Sequence, residues 1–210
     1  MEPMEKIKTF VFAILAGAAI AIGGAAYLSV DSKILGAVLF TVGLFTVCSF
    51  GLNLYTGKVC YVFENKLSYT LDVVIIWIGN LVGTFLTAQA YLMTRIGAGM
   101  AAKAAELCAV KLGDGLFSIF ILAIFCNVMI FIGVDGYKRI PHEVGKYLAL
   151  FFGVVVFIIC GFEHCVANMF YFSVAGAWSA KAFGYLIVMT LGNAVGGVIF
   201  PLLRMWKEKK

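Results

Sequence analysis

The residues of this chain that could do chemistry fall in two short polar stretches, each set inside a long apolar run. One is F-E-H-C-V-A-N-M-F, Phe162–Phe170, which holds Glu163, His164, Cys165 and Asn168. The other is L-N-L-Y-T-G-K, Leu52–Lys58, which holds Asn53, Thr56, Gly57 and Lys58. A histidine in the middle of an apolar run is costly unless partnered, and it can change charge near neutral pH. His164 therefore reads as a working residue rather than a neutral core histidine, while His142, the other of the two histidines, falls in a predicted loop. Where a helix breaks at membrane depth, the following half-helix offers free N–H groups and a positive dipole end, which suits an anion. Glu163 reads first as a tie to a neighbouring helix or subunit and second as a proton partner. Lys111, in A-V-K-L-G-D-G-L-F, has two readings that stay open on the residues alone: snorkelling to the interface, or a charge that draws anions inward. Cys165 beside His164 does not make a nucleophile and base, because adjacent residues on one short loop seldom reach each other and no orienting third group is evident.

These stretches must be positioned by membrane helices. Of 210 residues, 63% are apolar and 13% charged, with 23 Gly, against about 45–50% and 25% in soluble domains. Mean hydropathy is +1.02. Such a chain is neither disordered nor collagen-like, and no long polar stretch is left to build a soluble enzyme on one anchor. The apolar runs predict six spans, at about 9–30, 34–64, 71–95, 104–133, 144–178 and 182–203. The second and fifth are too long for one simple helix and are interrupted, near 51–58 and 161–169. Nothing alternates like a barrel strand, so all are read as helices. The start, Met1–Lys8 followed by the run from Phe10 to Val30, is basic and then apolar like a signal peptide, but a 21-residue run exceeds the usual apolar region and reads as a first span.

The net charge of +5 could suggest nucleic acid, but the basic residues sit in short gaps between spans, and topology explains them better. With the N-terminus inside, Lys6, Lys8, Lys66, Lys138, Arg139, Lys146, Arg204, Lys207, Lys209 and Lys210 fall on the inner side. Lys33, Arg95, Lys103 and Lys181 fall outside, and Lys58 and Lys111 lie at membrane depth. The bias expects both termini in the cytoplasm. The six cysteines show no CxxC or metal-type spacing and read as free thiols within apolar runs. No metal, cofactor or nucleic acid is expected.

The halves resemble each other. Span three carries Gly79-Asn80-Leu81-Val82-Gly83 and span six carries Gly192-Asn193-Ala194-Val195-Gly196, each downstream of a polar break. The chain thus reads as one transmembrane domain, 1–210, built of a repeat at about 9–95 and another at about 104–203. Three spans per half is an odd number, so the second half inserts upside down. Inverted repeats with broken helices set a small-solute pathway at the midplane. Glycines that merely pack spans closely would leave the two matching polar breaks unaccounted for.

With these residues in view, the chain resembles the formate/nitrite transporter family. Phe162–Phe170 is close to its F-E-H-S-V/I-A-N-M signature, Leu54–Gly57 to L-F/Y-T-G, and Gly192–Gly197 to G-N-x-x-G-G, over roughly residues 34–200. The resemblance implies an aquaporin-like six-helix bundle, an inverted 3+3 repeat with helices two and five broken, assembled in the lipid membrane as a homopentamer with one pore per subunit. It implies a transport protein, not an enzyme, passing formate, nitrite, hydrosulfide or related monovalent anions across a prokaryotic inner membrane. By motif match, Thr56 faces His164 across the two loops, Leu54 and Phe157 form apolar constrictions, Lys111 is the pore-associated lysine before span four, and Asn168 closes the second loop. The chain departs from the family in Lys58 for Asn, in Cys165 for Ser, in Leu122 and Ala123 where many members have Arg-Gly, and in its short termini.

The expected mechanism has His164, or water ordered by it, lend a proton so that a neutral acid crosses the constrictions. The simpler variant keeps His164 neutral and passes the ion directly. The competing class is a neutral-solute pore like a water channel, but its paired Asn-Pro-Ala loops are absent and Pro3, Pro141 and Pro201 lie at no break. A structural or sensory protein would leave both polar breaks without a purpose.

Overall fold

Among residues 3–209, which the computed structural model describes, the apolar runs form nine α-helices. Four are long and apolar enough to cross a membrane alone: α1 (Pro3–Leu28), α4 (Tyr69–Leu92), α6 (Leu116–Arg139) and α9 (Ala180–Glu208). Two more crossings are made in pieces. α2 (Lys33–Ser49) is followed by the short α3 (Tyr55–Lys58) and a 3-10 turn, Val59–Tyr61; α7 (Glu143–Ile159) is followed by α8 (Cys165–Val174). The remaining helix, α5 (Gly97–Gly113), belongs to none of these crossings and packs on α8.

Both interruptions have the same cause. α2 and α7 end in glycines at positive φ, Gly51 at +64° and Gly161 at +69°, a conformation other residues adopt only with strain. Each makes the same capping pattern. Leu52 N–H donates to Val47 O and Gly51 N–H to Cys48 O; Phe162 N–H donates to Phe157 O and Gly161 N–H to Ile158 O. The breaks thus fall at 50–54 and 160–164, at the leading edge of the expected stretches, and the motif residues that follow begin the half-helices.

Span four differs from expectation. The run 104–133 is not one helix, because Gly113-Asp114-Gly115 separates α5 from α6. Asp114 turns extended at the end of α5, and its carboxylate takes the Gly115 N–H and the Ser118 hydroxyl, both at 2.7 Å. The first span of the second half is therefore α6, starting at Leu116, and Lys111 lies in the last turn of α5 rather than within a span.

The packing repeats. α1 lies against α2 and α4, as α6 lies against α7 and α9. α8, all ten of whose residues are buried, packs on α4, and the 3-10 turn packs on α9. Asn53 within the first break bonds to α1 through Thr9 O, and Arg204 near the end of α9 bonds to Glu64 and Asp135. The start of α1 and the end of α9 thus share one end of the bundle with the 62–68 and 140–142 loops. Lys210, grouped with the inner basic residues by sequence, lies outside the described residues, as do Met1 and Glu2.

Candidate functional site

Two asparagines hold the half-helices in place. Asn80 Oδ1 accepts the first N–H of α3, from Tyr55, at 2.8 Å, while its Nδ2 donates to Asn53 O at 2.9 Å and Ala13 O at 2.8 Å. Asn193 Oδ1 accepts the first N–H of α8, from Cys165, at 2.9 Å, while its Nδ2 donates to Glu163 O at 2.8 Å and Ala123 O at 2.7 Å. In each half one side chain satisfies two groups that helix breakage orphans and anchors them to a carbonyl of the unbroken α1 or α6. The Gly-Asn pattern was visible in the sequence, but this clamping role was not.

The clamps bring the tips of the two breaks together. Thr56 Oγ1 and His164 Nε2 lie 3.0 Å apart, and both residues are buried. His164 is the N-cap of α8, and its Nδ1 accepts the Ala167 N–H at 3.1 Å. An acceptor at Nδ1 leaves the ring proton on Nε2, so Nε2–H donates to Thr56 Oγ1 and the Thr56 hydroxyl hydrogen is free for another acceptor. Neither ring nitrogen is available to Cys165. The Phe157 ring stacks on His164 with centroids 5.5 Å apart, and Phe40 closes against Phe157 edge-on at 5.8 Å.

Glu163 joins the other expected residues to this pair. Its Oε2 takes Lys111 Nζ at 2.7 Å and Asn168 Nδ2 at 2.8 Å, and Asn168 also donates to His164 O at 3.0 Å. The Lys111 and Glu163 side chains are 14% and 4% exposed, so the ion pair is nearly dry. The ion pair ties Lys111 to the second break. Glu163 serves as the tie to a neighbouring helix.

Cavities flank the Thr56–His164 contact. One, of about 220 Å³, is lined by Lys33, Lys111, Phe157, Glu163, His164 and Asn168 among others. It adjoins an outer cavity of about 440 Å³, sharing Tyr27, Lys33, Leu107 and Val110. There Lys103 Nζ pairs with Asp31 at 2.7 Å, and that hydrogen bond holds the Asp31 carboxyl below its ordinary range. The other cavity, of about 120 Å³, lies towards the chain ends and is lined by Leu54, Gly57, Lys58 and Lys138 among others. Phe157 thus borders one cavity and Leu54 the other, with both side chains buried between them. No cluster of His, Cys, Asp and Glu able to hold a metal occurs among the described residues.

The sequence profile described as "Formate/nitrite transporter" matches residues 3–207. The "Probable formate transporter" of Methanothermobacter thermautotrophicus is 31% identical, over 95% of this chain and 88% of its own. The "Nitrite transporter NirC" of Salmonella typhimurium is 28% identical, over 85% of this chain and 71% of its own. Among solved structures, a "Pentameric formate channel with formate bound" superimposes with a TM-score of 0.86 at 25% identity, covering 99% of this chain and 98% of its own. A match along nearly the whole length, on a helical fold with these two interruptions, leaves one assignment: this chain belongs to the formate/nitrite transporter family, whose members are transporters and channels and not enzymes.

Proposed function

We propose that this chain is a channel for small monovalent anions of weak acids, formate or nitrite first and hydrosulfide as a third candidate. The observation that carries this reading is the alignment of two cavities on either side of the buried Thr56–His164 contact, each bordered by an apolar gate, Leu54 or Phe157. In this reading the anion gathers in the cavity lined by Lys111, accepts a hydrogen bond from Thr56, and passes Phe157 and Leu54 with part of its hydration replaced by these donors. Asn168 fixes the loop by holding Glu163 and the His164 carbonyl.

The hydrogen bonding supports the variant in which His164 stays neutral. A second ring proton has to enter at Nδ1 and displace the Ala167 N–H, which would uncap α8. Proton exchange at His164 remains the alternative outcome of the test.

The single domain 1–210 acts as two repeats, about 9–95 and 104–203, with α5 running from the connection into the start of the second repeat ahead of α6. The assembly is a homopentamer with one pore in each subunit, a reading supported by the pentameric structural relative. Its setting is the inner membrane with both termini cytoplasmic, a reading supported by Lys66, Lys138, Arg139, Lys146 and Arg204 gathered near the end that holds the termini.

Flux of formate, nitrite and hydrosulfide into proteoliposomes between about pH 5 and pH 8 tests this. Flux of at least one anion well above protein-free liposomes is expected. Swelling with water or glycerol and no anion flux would establish the neutral-solute pore instead.

A further inference from the structure

The two halves put different charges at equivalent places. An offset of 110 positions relates Gly51 to Gly161, Tyr55 to Cys165 and Ala13 to Ala123, and the same offset pairs Asn53 with Glu163 and Lys58 with Asn168. In the second half, the acid Glu163 neutralises Lys111, with the amide of Asn168 beside it. In the first half the acid's place is taken by a neutral amide, and the amide's place by a cation.

Lys58 has company. Lys138 lines the same cavity of about 120 Å³, whose other walls include Leu52, Leu54 and Val134. Among the described residues neither lysine makes an ion pair. The nearby acids are committed elsewhere: Asp135 takes the Tyr61 hydroxyl at 3.1 Å, Arg139 Nε at 3.1 Å and Arg204 Nη1, and Glu64 takes Arg204 Nη2 at 2.6 Å. Lys138 Nζ stands 4.3 Å over the Tyr61 ring centroid, a contact that stabilises a cation without cancelling its charge. The Lys58 carbonyl accepts the Tyr69 hydroxyl at 3.2 Å, which fixes the backbone that carries the ammonium. Two like charges share a small, apolar-walled space, where their fields add and screening is weak. On the far side Lys111 is balanced by Glu163 and Lys103 by Asp31, and of the lysines lining the two cavities there Lys33 alone makes no ion pair among the described residues, so only the chain-terminal cavity brings two such lysines together.

We propose that Lys58 and Lys138 form a binding site for one small monovalent anion in the cavity between Leu54 and the chain-terminal end of the bundle, distinct from the Thr56–His164 contact. The inference rests on the channel reading, and its ligand is the transported anion itself. The site holds that anion at the threshold of the Leu54 gate and makes the two faces of the channel unequal in the concentration that half-saturates them.

Labelled formate uptake into right-side-out and inverted membrane vesicles, sorted by the accessibility of a C-terminal tag, tests this. For Lys58→Gln, the half-saturating concentration at the chain-terminal face is expected to rise about five-fold, with the opposite face within about two-fold. Lys58→Arg restores wild-type behaviour, and Lys138→Gln shifts the same face in the same direction. If Lys58→Gln is not recovered as a folded oligomer, Lys138→Gln carries the test. Unchanged half-saturation at the chain-terminal face, or an equal rise at both faces, overturns the site. Competition by inorganic phosphate at that face, with formate half-saturation unmoved by either substitution, also overturns it, since the pocket then serves a resident anion. Wild-type vesicles that carry none of formate, nitrite and hydrosulfide refute the channel reading, whereas wild-type flux with unaltered variants refutes this site alone.

Discussion

Asn80 and Asn193, one in each half of the chain, make the same three hydrogen bonds: one accepted from the first N–H of a half-helix, one donated to the carbonyl two residues upstream, and one donated into α1 or α6. A broken helix at membrane depth is stable only if its orphaned groups find protein partners. These two side chains supply them, and all the chemistry at the breaks hangs on that support.

Asn193→Ala is expected to leave the Cys165 N–H and the Glu163 carbonyl buried without a partner, while the Ala123 carbonyl, inside the unbroken α6, loses only an additional bond. Each such group costs about 1–3 kcal/mol. The melting temperature of the detergent-solubilised protein should fall clearly, and anion flux should be lost with it. Asn193→Asp keeps the acceptor and loses both donors, so it should fall between wild type and Ala. A melting temperature unmoved by Asn193→Ala would show that water or backbone rearrangement takes over the clamp.

His164→Asn separates the two jobs of the ring. Asparagine still caps α8 by accepting the Ala167 N–H, so the fold should persist. The bond to Thr56 is lost, and flux should change in rate. With a neutral His164 the shape of the pH–flux curve should stay that of wild type. A curve whose midpoint disappears in the variant would instead assign the titration to His164 and establish proton exchange.

Lys111 and Glu163 should behave as a unit. Removing one partner of a nearly dry ion pair leaves a buried charge, at a cost of about 3–5 kcal/mol. Lys111→Met and Glu163→Gln should each destabilise strongly, and the double variant should recover most of the loss. Thermal unfolding of all four proteins closes the cycle; additive losses would mean the two side chains do not interact.

Gly161→Ala tests the break itself. Its φ of +69° is strained for a residue with a side chain, and the cost should exceed about 1 kcal/mol. The same substitution at Gly51, φ +64°, should cost a comparable amount. Paired melting curves check the equivalence.

Much of this was legible in the residues. Hydropathy alone marks the long helices, and the polar interruptions mark both breaks, because charged or amide side chains rarely enter an apolar run without reason. His164 and Thr56 were paired by motif, and the structure holds them 3.0 Å apart. Other features were not legible. In the run from 104 to 133 the single charge of Gly113-Asp114-Gly115 is outweighed by the apolar residues around it, so a hydropathy average smooths over the boundary between α5 and α6. The bond from Lys111 to Glu163 spans 52 positions, and nothing local in either stretch names the other as partner. Gly-Asn was seen as a repeated spelling, but which groups the amide would serve depends on the approach of α1 and α6, a tertiary fact.

The 110-position offset also says how the molecule can change. Its two halves agree in framework: Gly51 with Gly161, Ala13 with Ala123, and one clamping asparagine each. They disagree in cargo: Leu54 stands where His164 does, and Gly17 where Asn127 does. Duplicated carpentry has been furnished differently in each room. The furnishings are also fastened to the frame: His164 caps α8, Asn127 Nδ2 donates to the carbonyls of Thr56 and Asn193, and a side chain at Gly17 would collide with Asn80 O, so neither room can be refitted without moving a wall.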